Sequence, residues 1–250
     1  MKKTYLFANW KMYLDYDESN ILANAIALAS KDFSPNIEMA VFPSSIAFYP
    51  VCQVLSDVGI DCGPQNAYWT EKGGYTGEVS AEIYKMAGAK YSLVGHSERR
   101  HVFGETEEEI NKKMQSCLDW NLTPILCVGE TLDQRKEGIA KDVVKKQLEK
   151  ALDGLNFKEV KELFVAYEPV WAIGTGESCS VVDAQSMQGE IKKWVKELLV
   201  GLDLDLKVLY GGSVRPENVV QYVENEEIDG VLVGGASTKM DSWLKIAQAI

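Results

Sequence analysis

The chain has 250 residues, of which 46% are hydrophobic, and a formal net charge of −11 at pH 7. That supplies the core of one large α/β domain or two small ones, and the acidic balance excludes the clustered Lys and Arg that nucleic acid or an anionic membrane would need. No apolar run reaches membrane-spanning length and the apolar start Thr4 to Ala8 is too short for a signal peptide, so a cytoplasmic protein is expected. Five cysteines (Cys52, Cys62, Cys117, Cys127, Cys179) show no C-x-x-C spacing and read as reduced core thiols, with neither a disulfide framework nor a metal site expected.

Short apolar runs alternate with helix-like stretches along the whole chain. The expected strands are Tyr5 to Asn9, Met39 to Phe42, Ile60 to Gln65, Tyr91 to Val94, Pro124 to Val128, Leu163 to Tyr167, Lys207 to Tyr210 and Gly230 to Val233. Eight strands, each followed by a helix, fit a single closed (β/α)8 barrel over residues 1–250. An open doubly wound sheet is the alternative, but no G-x-G-x-x-G follows the first strand.

In a barrel the functional groups gather at the carboxyl ends of the strands, where helix N-termini also turn their free N–H groups. The first such end reads Asn9-Trp10-Lys11-Met12, and Lys11 is either the cation for an anionic substrate or an ordinary loop charge. After the third strand comes Tyr68 to Val79, too long and glycine-rich to be part of the barrel, with Tyr68, Trp69 and Tyr75 forming an apolar patch that wants a partner. The fourth strand ends in Gly95-His96-Ser97-Glu98-Arg99-Arg100, whose turn can set N–H donors against His96 and favour the neutral ring, while His101 reads as structural. Glu105 to Glu109 load the first turn of a helix reaching about Trp120, and they and Glu224 to Glu227 read as solvated.

The sixth strand delivers Glu168 to its end, where Pro169 cannot continue the ladder. The segment that follows is apolar through Val170, Trp171, Ala172 and Ile173 and glycine-rich at Gly174 and Gly176, which suits a flap closing over a carboxylate base, or a buried turn beside a surface Glu. Ser180 with Asp183 opens a helix over Val181 to Leu199, and Pro216 takes a first helical position before Asn218. Gly211-Gly212-Ser213 and Gly234-Gly235-Ala236-Ser237 follow the last two strands, as a cup for phosphate or as tight turns needing glycine for conformation alone.

Taken together these motifs, with Gln65-Asn66, Tyr75-Thr76-Gly77-Glu78 and Cys127-Val128-Gly129-Glu130, resemble the triosephosphate isomerase family over essentially all 250 residues. The resemblance implies a TIM barrel and a cofactor-free, metal-free isomerase of three-carbon phosphates. The general account of the family has a Glu base, a neutral His electrophile and a closing loop. By motif the catalytic set is Glu168, His96 and Lys11, with Asn9 beside Lys11 and Glu98 orienting it. Main-chain N–H groups of Gly174, Ser213, Gly234 and Gly235 would hold the phosphate. The resemblance also implies a homodimer, with Thr76 at the tip of the 68–79 loop inserted beside the partner's active site. Departures from the family pattern fall in loops: Tyr13, Pro64, Gly74 and the stretch Gly176-Glu177-Ser178-Cys179.

Overall fold

The computed structural model describes residues 3–173 and 179–250. Alternation along each strand builds its two-sided core. In β1 (Thr4–Asn9) every residue is buried, yet Tyr5 and Phe7 join one apolar cluster while Leu6 and Ala8 join another. The first cluster, with Phe42, Tyr91, Phe164 and Leu209, fills the barrel; the second lies between strands and helices. Burial on both faces is why the strands read as continuous apolar runs.

The remaining strands are β2 (Ile37–Phe42), β3 (Asp61–Cys62), β4 (Tyr91–Val94), β5 (Thr123–Val128), β6 (Glu162–Tyr167), β7 (Asp205–Tyr210) and β8 (Gly230–Val233). Every ladder is parallel, in the order β3-β2-β1-β8-β7-β6-β5-β4. The ends of that row meet: Lys90 N–H donates to the Cys62 carbonyl at 2.9 Å and Leu93 N–H to the Pro64 carbonyl at 3.0 Å. The expected (β/α)8 barrel is the architecture observed. Among the described residues, no helix is long and apolar enough to cross a membrane.

Three expectations need correction. The third strand shrinks from Ile60–Gln65 to Asp61–Cys62, because Pro64 has no N–H to give and Gly63 is pressed so tightly that a Cβ there would lie 2.6 Å from the Tyr91 carbonyl oxygen. Pro216 is not a first helical residue: the helix is Val219–Val223, and Pro216 lies inside the turn before it. Glu105 is not solvated but buried, ion-paired with Arg99 and, at 3.1 Å, with Lys113. Helix starts fared better, with Ser180 Oγ accepting from Asp183 N–H at 3.1 Å to open Val181–Leu198. Thr106 and Glu109 likewise form a reciprocal cap for Glu107–Asp119. All five cysteines are buried and unbridged.

The amino ends of the strands carry an ionic cluster around Glu38, which accepts from Tyr91 Oη at 2.7 Å and Lys90 Nζ at 3.1 Å and pairs with Lys3. Burial opposes ionisation of Glu38, but the bonds from Lys3, Tyr91 and Lys90 win and hold its carboxyl at about 2. A depressed folded-state value adds stability above the unfolded carboxylate range, and that stability is lost as pH falls from about 4.5 toward 2. Glu38→Gln should therefore cost on the order of 1 kcal/mol at pH 6 after allowing for half-exposed lysine partners. Urea unfolding at pH 6 and pH 3 checks this: the gap between the two proteins should narrow at the lower pH.

Candidate active site

Glu168 follows β6 directly, its N–H bonded to the Val128 carbonyl at 2.7 Å. That approach requires Gly129, the residue just after β5, where a Cβ would stand 1.7 Å from the Glu168 carbonyl oxygen. Gly211 makes room on the other side, since a Cβ there would lie 2.9 Å from Glu168 Cγ. The Glu168 side chain is only 2% exposed; its Oε2 accepts from Ser97 N–H at 2.7 Å, and its Oε1 lies 3.2 Å from His96 Nε2.

His96 stands at the head of the short helix Ser97–His101, and its Nδ1 accepts from Glu98 N–H at 3.2 Å. A ring nitrogen that accepts carries no proton, so the hydrogen of the neutral ring sits on Nε2, the nitrogen 3.2 Å from Glu168 Oε1. This is the donor geometry expected from the turn after β4. Cys127 lies beneath, its thiol pushed well above the usual range by burial first and the charge of Glu168 second.

Lys11 occupies the left-handed region, φ +50°. A lysine gains nothing from that conformation, so it persists because the surroundings hold it. Asn9 Oδ1 accepts Lys11 N–H at 3.0 Å and Gln65 Nε2 donates to the Lys11 carbonyl at 2.7 Å, with a second bond to the Phe42 carbonyl at 2.9 Å. The ammonium then meets Glu98 Oε1 at 2.7 Å. Behind Gln65, the neighbouring Asn66 accepts from buried Lys113 at 2.7 Å, which the Glu105 pair anchors in turn.

These groups share one cavity of about 300 Å³. Asn9, Lys11, His96, Glu98 and Glu168 line it together with Gly212, Ser213, Gly234 and Gly235, so the polar side chains and the glycine turns expected to form a cup do come together. Across residues 4–250 the chain matches the family model described as triosephosphate isomerase.

The chain belongs to the triosephosphate isomerase family.

It is 42% identical over 253 aligned residues to the triosephosphate isomerase of Carboxydothermus hydrogenoformans, covering 99% of each chain. It is 39% identical over 250 residues to that of Dictyoglomus thermophilum and 40% identical over 247 residues to that of a Thermoanaerobacter species, the first covering all of both chains and the second 98% and 99%.

In this isomerase the segment after Glu168 is tied to Glu130, a carboxylate that the sequence shows only as the end of the Cys127-Val128-Gly129-Glu130 motif. Glu130 is fully buried and accepts from Tyr167 Oη at 3.1 Å and from Trp171 Nε1 at 2.9 Å, while its carbonyl accepts Val170 N–H at 3.1 Å. Arg135 stacks over the Trp171 ring at 4.6 Å and pairs with Asp183 at 3.1 Å, linking the segment to the helix beyond it. Val170–Ala172 is one 3-10 turn and Ile173 reaches the cavity. Gly174, named as a phosphate donor, and the departure at Gly176-Glu177-Ser178 lie outside the described residues. Gln65 and Gly129 were quoted only as parts of a motif; the signal for Gln65 was a polar pair directly after a proline-stopped strand.

Proposed function

We propose that this chain interconverts dihydroxyacetone phosphate and glyceraldehyde 3-phosphate in the cytoplasm, with Glu168 as base, His96 as hydrogen-bond donor and Lys11 as the cation beside the developing charge. The observation that carries the reading is the 3.2 Å approach of His96 Nε2 to Glu168 Oε1 on the wall of a cavity whose far side is glycine. A base and an electrophilic donor side by side are what a proton shift between adjacent carbons needs.

A C–H next to a carbonyl is a weak acid, so its removal needs a base held close and the new oxyanion stabilised. The Glu168 carboxylate takes the proton from one carbon as the carbonyl oxygen becomes an enediolate oxygen. His96 Nε2–H donates to that oxygen, and the Lys11 ammonium, with Asn9 nearby, offsets its charge. The same carboxyl then returns the proton to the neighbouring carbon, while the hydroxyl proton passes from the oxygen that becomes the new carbonyl to the enediolate oxygen that becomes the new hydroxyl. To reach substrate carbon, Glu168 has to give up its Ser97 bond and its place beside His96. Ser213, Gly234 and Gly235 hold the phosphate through main-chain N–H groups, and the segment after Glu168 closes to keep water from the intermediate.

Purified protein given glyceraldehyde 3-phosphate, with the ketone product reduced in a coupled assay, should turn over far above buffer. A folded protein with no turnover removes the reading. Nitrogen-15 NMR at pH 7 checks the donor role: Nδ1 of His96 should be bare and Nε2 protonated, and the opposite tautomer would leave no proton to donate to the oxyanion.

The active unit in this reading is a homodimer. Residues 68–80 form a loop pinched at its base, where Tyr68 N–H donates to the Val79 carbonyl at 2.8 Å and Ala81 N–H to that of Tyr68 at 3.2 Å. Its aromatic rings are less bare than expected, since Tyr68 stacks on Trp69 at 4.0 Å and meets Tyr75 at 4.8 Å, but residues 71–78 are all exposed. Beside the active site lies a second cavity of about 610 Å³, lined by Lys11, Gln65, His96 and by Met12, Val102 and Phe103, of which the last three are 93%, 71% and 69% exposed. Such large apolar side chains at an open cavity fit a protruding loop from a second copy, with Thr76 at its tip.

A further inference from the structure

Arginine is scarce in this chain: there are four. Arg99 pairs with Glu105, Arg100 with Glu107, and Arg135 with Asp183. Arg215 makes no ion pair among the described residues, and it lines the cavity that holds Lys11, His96 and Glu168. Its backbone is fixed. Asn218 Oδ1 accepts Arg215 N–H at 2.7 Å, Asn218 Nδ2 donates to the Ser213 carbonyl at 3.0 Å, and the amides of Asn218 and Val219 bond the Arg215 carbonyl at 3.1 and 3.0 Å. The backbone that carries the guanidinium is therefore fixed two residues beyond Ser213, on a turn that closes on itself.

Charge gives this placement a consequence. The formally charged side chains lining the cavity, among the described residues, are Lys11 and Arg215 against Glu98 and Glu168, two positive and two negative. Lys11 is already matched by Glu98 at 2.7 Å. Without Arg215 the lining would be net negative, in a protein whose total of −11 already opposes an anion. Screening over about 8 Å at physiological salt lets such local charges, rather than the distant total, decide what a phosphate meets on entry.

We infer that Arg215 is the capture residue for the phosphate end of the substrate, an inference that rests on the triose phosphate reading above. It stands at the rim and is exposed, so it acts on encounter and on loose binding of the dianion, before the proton transfer begins. The arginine supplies the positive excess that the Lys11–Glu98 pair does not.

The test compares Arg215→Gln, Arg215→Glu and Arg215→Lys with the wild type at low ionic strength. Charge reversal should lower kcat/KM about tenfold, through KM with kcat little changed, and Arg215→Gln should fall between. Raising the salt to roughly 0.5 M should shrink the difference, and Arg215→Lys should restore most of the wild-type value. Inorganic phosphate, titrated calorimetrically, should bind more weakly to Arg215→Glu in parallel, a readout independent of turnover. Thermal midpoints should agree, because no described ion pair is lost. An Arg215→Glu protein with wild-type KM and phosphate affinity at low salt overturns the inference, as does a loss that ignores salt and is not restored by lysine. Absent turnover in the wild type would instead strike the functional reading, and the phosphate titration would still judge Arg215.

Discussion

Replacing Glu168 by glutamine should lower kcat by about 10² to 10⁴, the range for losing a positioned general base, or about 3 to 5 kcal/mol of barrier. The geometry adds a second expectation. Glu168 accepts from Ser97 N–H through one oxygen and sets the other 3.2 Å from His96 Nε2, and an amide offers one acceptor oxygen where a carboxylate offers two. One donor is left facing an NH₂, so a stability loss on the order of 1 kcal/mol should accompany the kinetic one. Denaturant unfolding separates the two effects, and phosphate binding should stay near wild type. A well-folded variant keeping more than roughly a tenth of wild-type kcat would remove Glu168 from the proton transfer.

Thr76→Arg should act at a distance from the chemistry. Thr76 is exposed at the end of the pinched loop, so a charge there costs an isolated chain little. Driven into a partner's cavity, where Lys11 and Arg99 already stand beside Glu78 and Glu98, the same charge would be desolvated and its bulk crowded against Lys11 and His96. Sedimentation should show a shift toward monomer, with stability and kcat falling together as the surroundings of Lys11, Gln65 and His96 loosen. A variant that sediments as monomer at wild-type kcat would make the loop an anchor with no part in holding the active site. A variant that stays dimeric would place the contact elsewhere.

Strand identity was legible because burial on two faces writes itself as runs of apolar residues, and seven of the eight runs lie within the observed strands. β3 was misread because an apolar run does not reveal how little room Gly63 has, nor that Pro64 serves only as an acceptor. The polar side chains at strand ends were legible as chemical oddities in an apolar context. Their supports were not, since Gln65 reaches Lys11 across 54 positions and Glu130 reaches Trp171 across 41. Glu105 shows the same blindness in reverse: inside an acidic run it looks like one more solvated carboxylate, and only the fold brings Lys113 beneath it.

The two ends of the barrel hold different kinds of charge. Lys3, Glu38 and Lys90 cluster where the strands begin, while Lys11, His96 and Glu168 stand where they finish. A six-residue strand such as β1 separates them by roughly 17 Å, beyond the distance at which substitutions usually interfere with one another. With Lys11, His96 and Glu168 in their proposed roles, stability would be tuned from one end of the barrel and chemistry from the other. In a protein carrying both Glu38→Gln and Glu168→Gln, the free-energy changes should add to within about 0.5 kcal/mol.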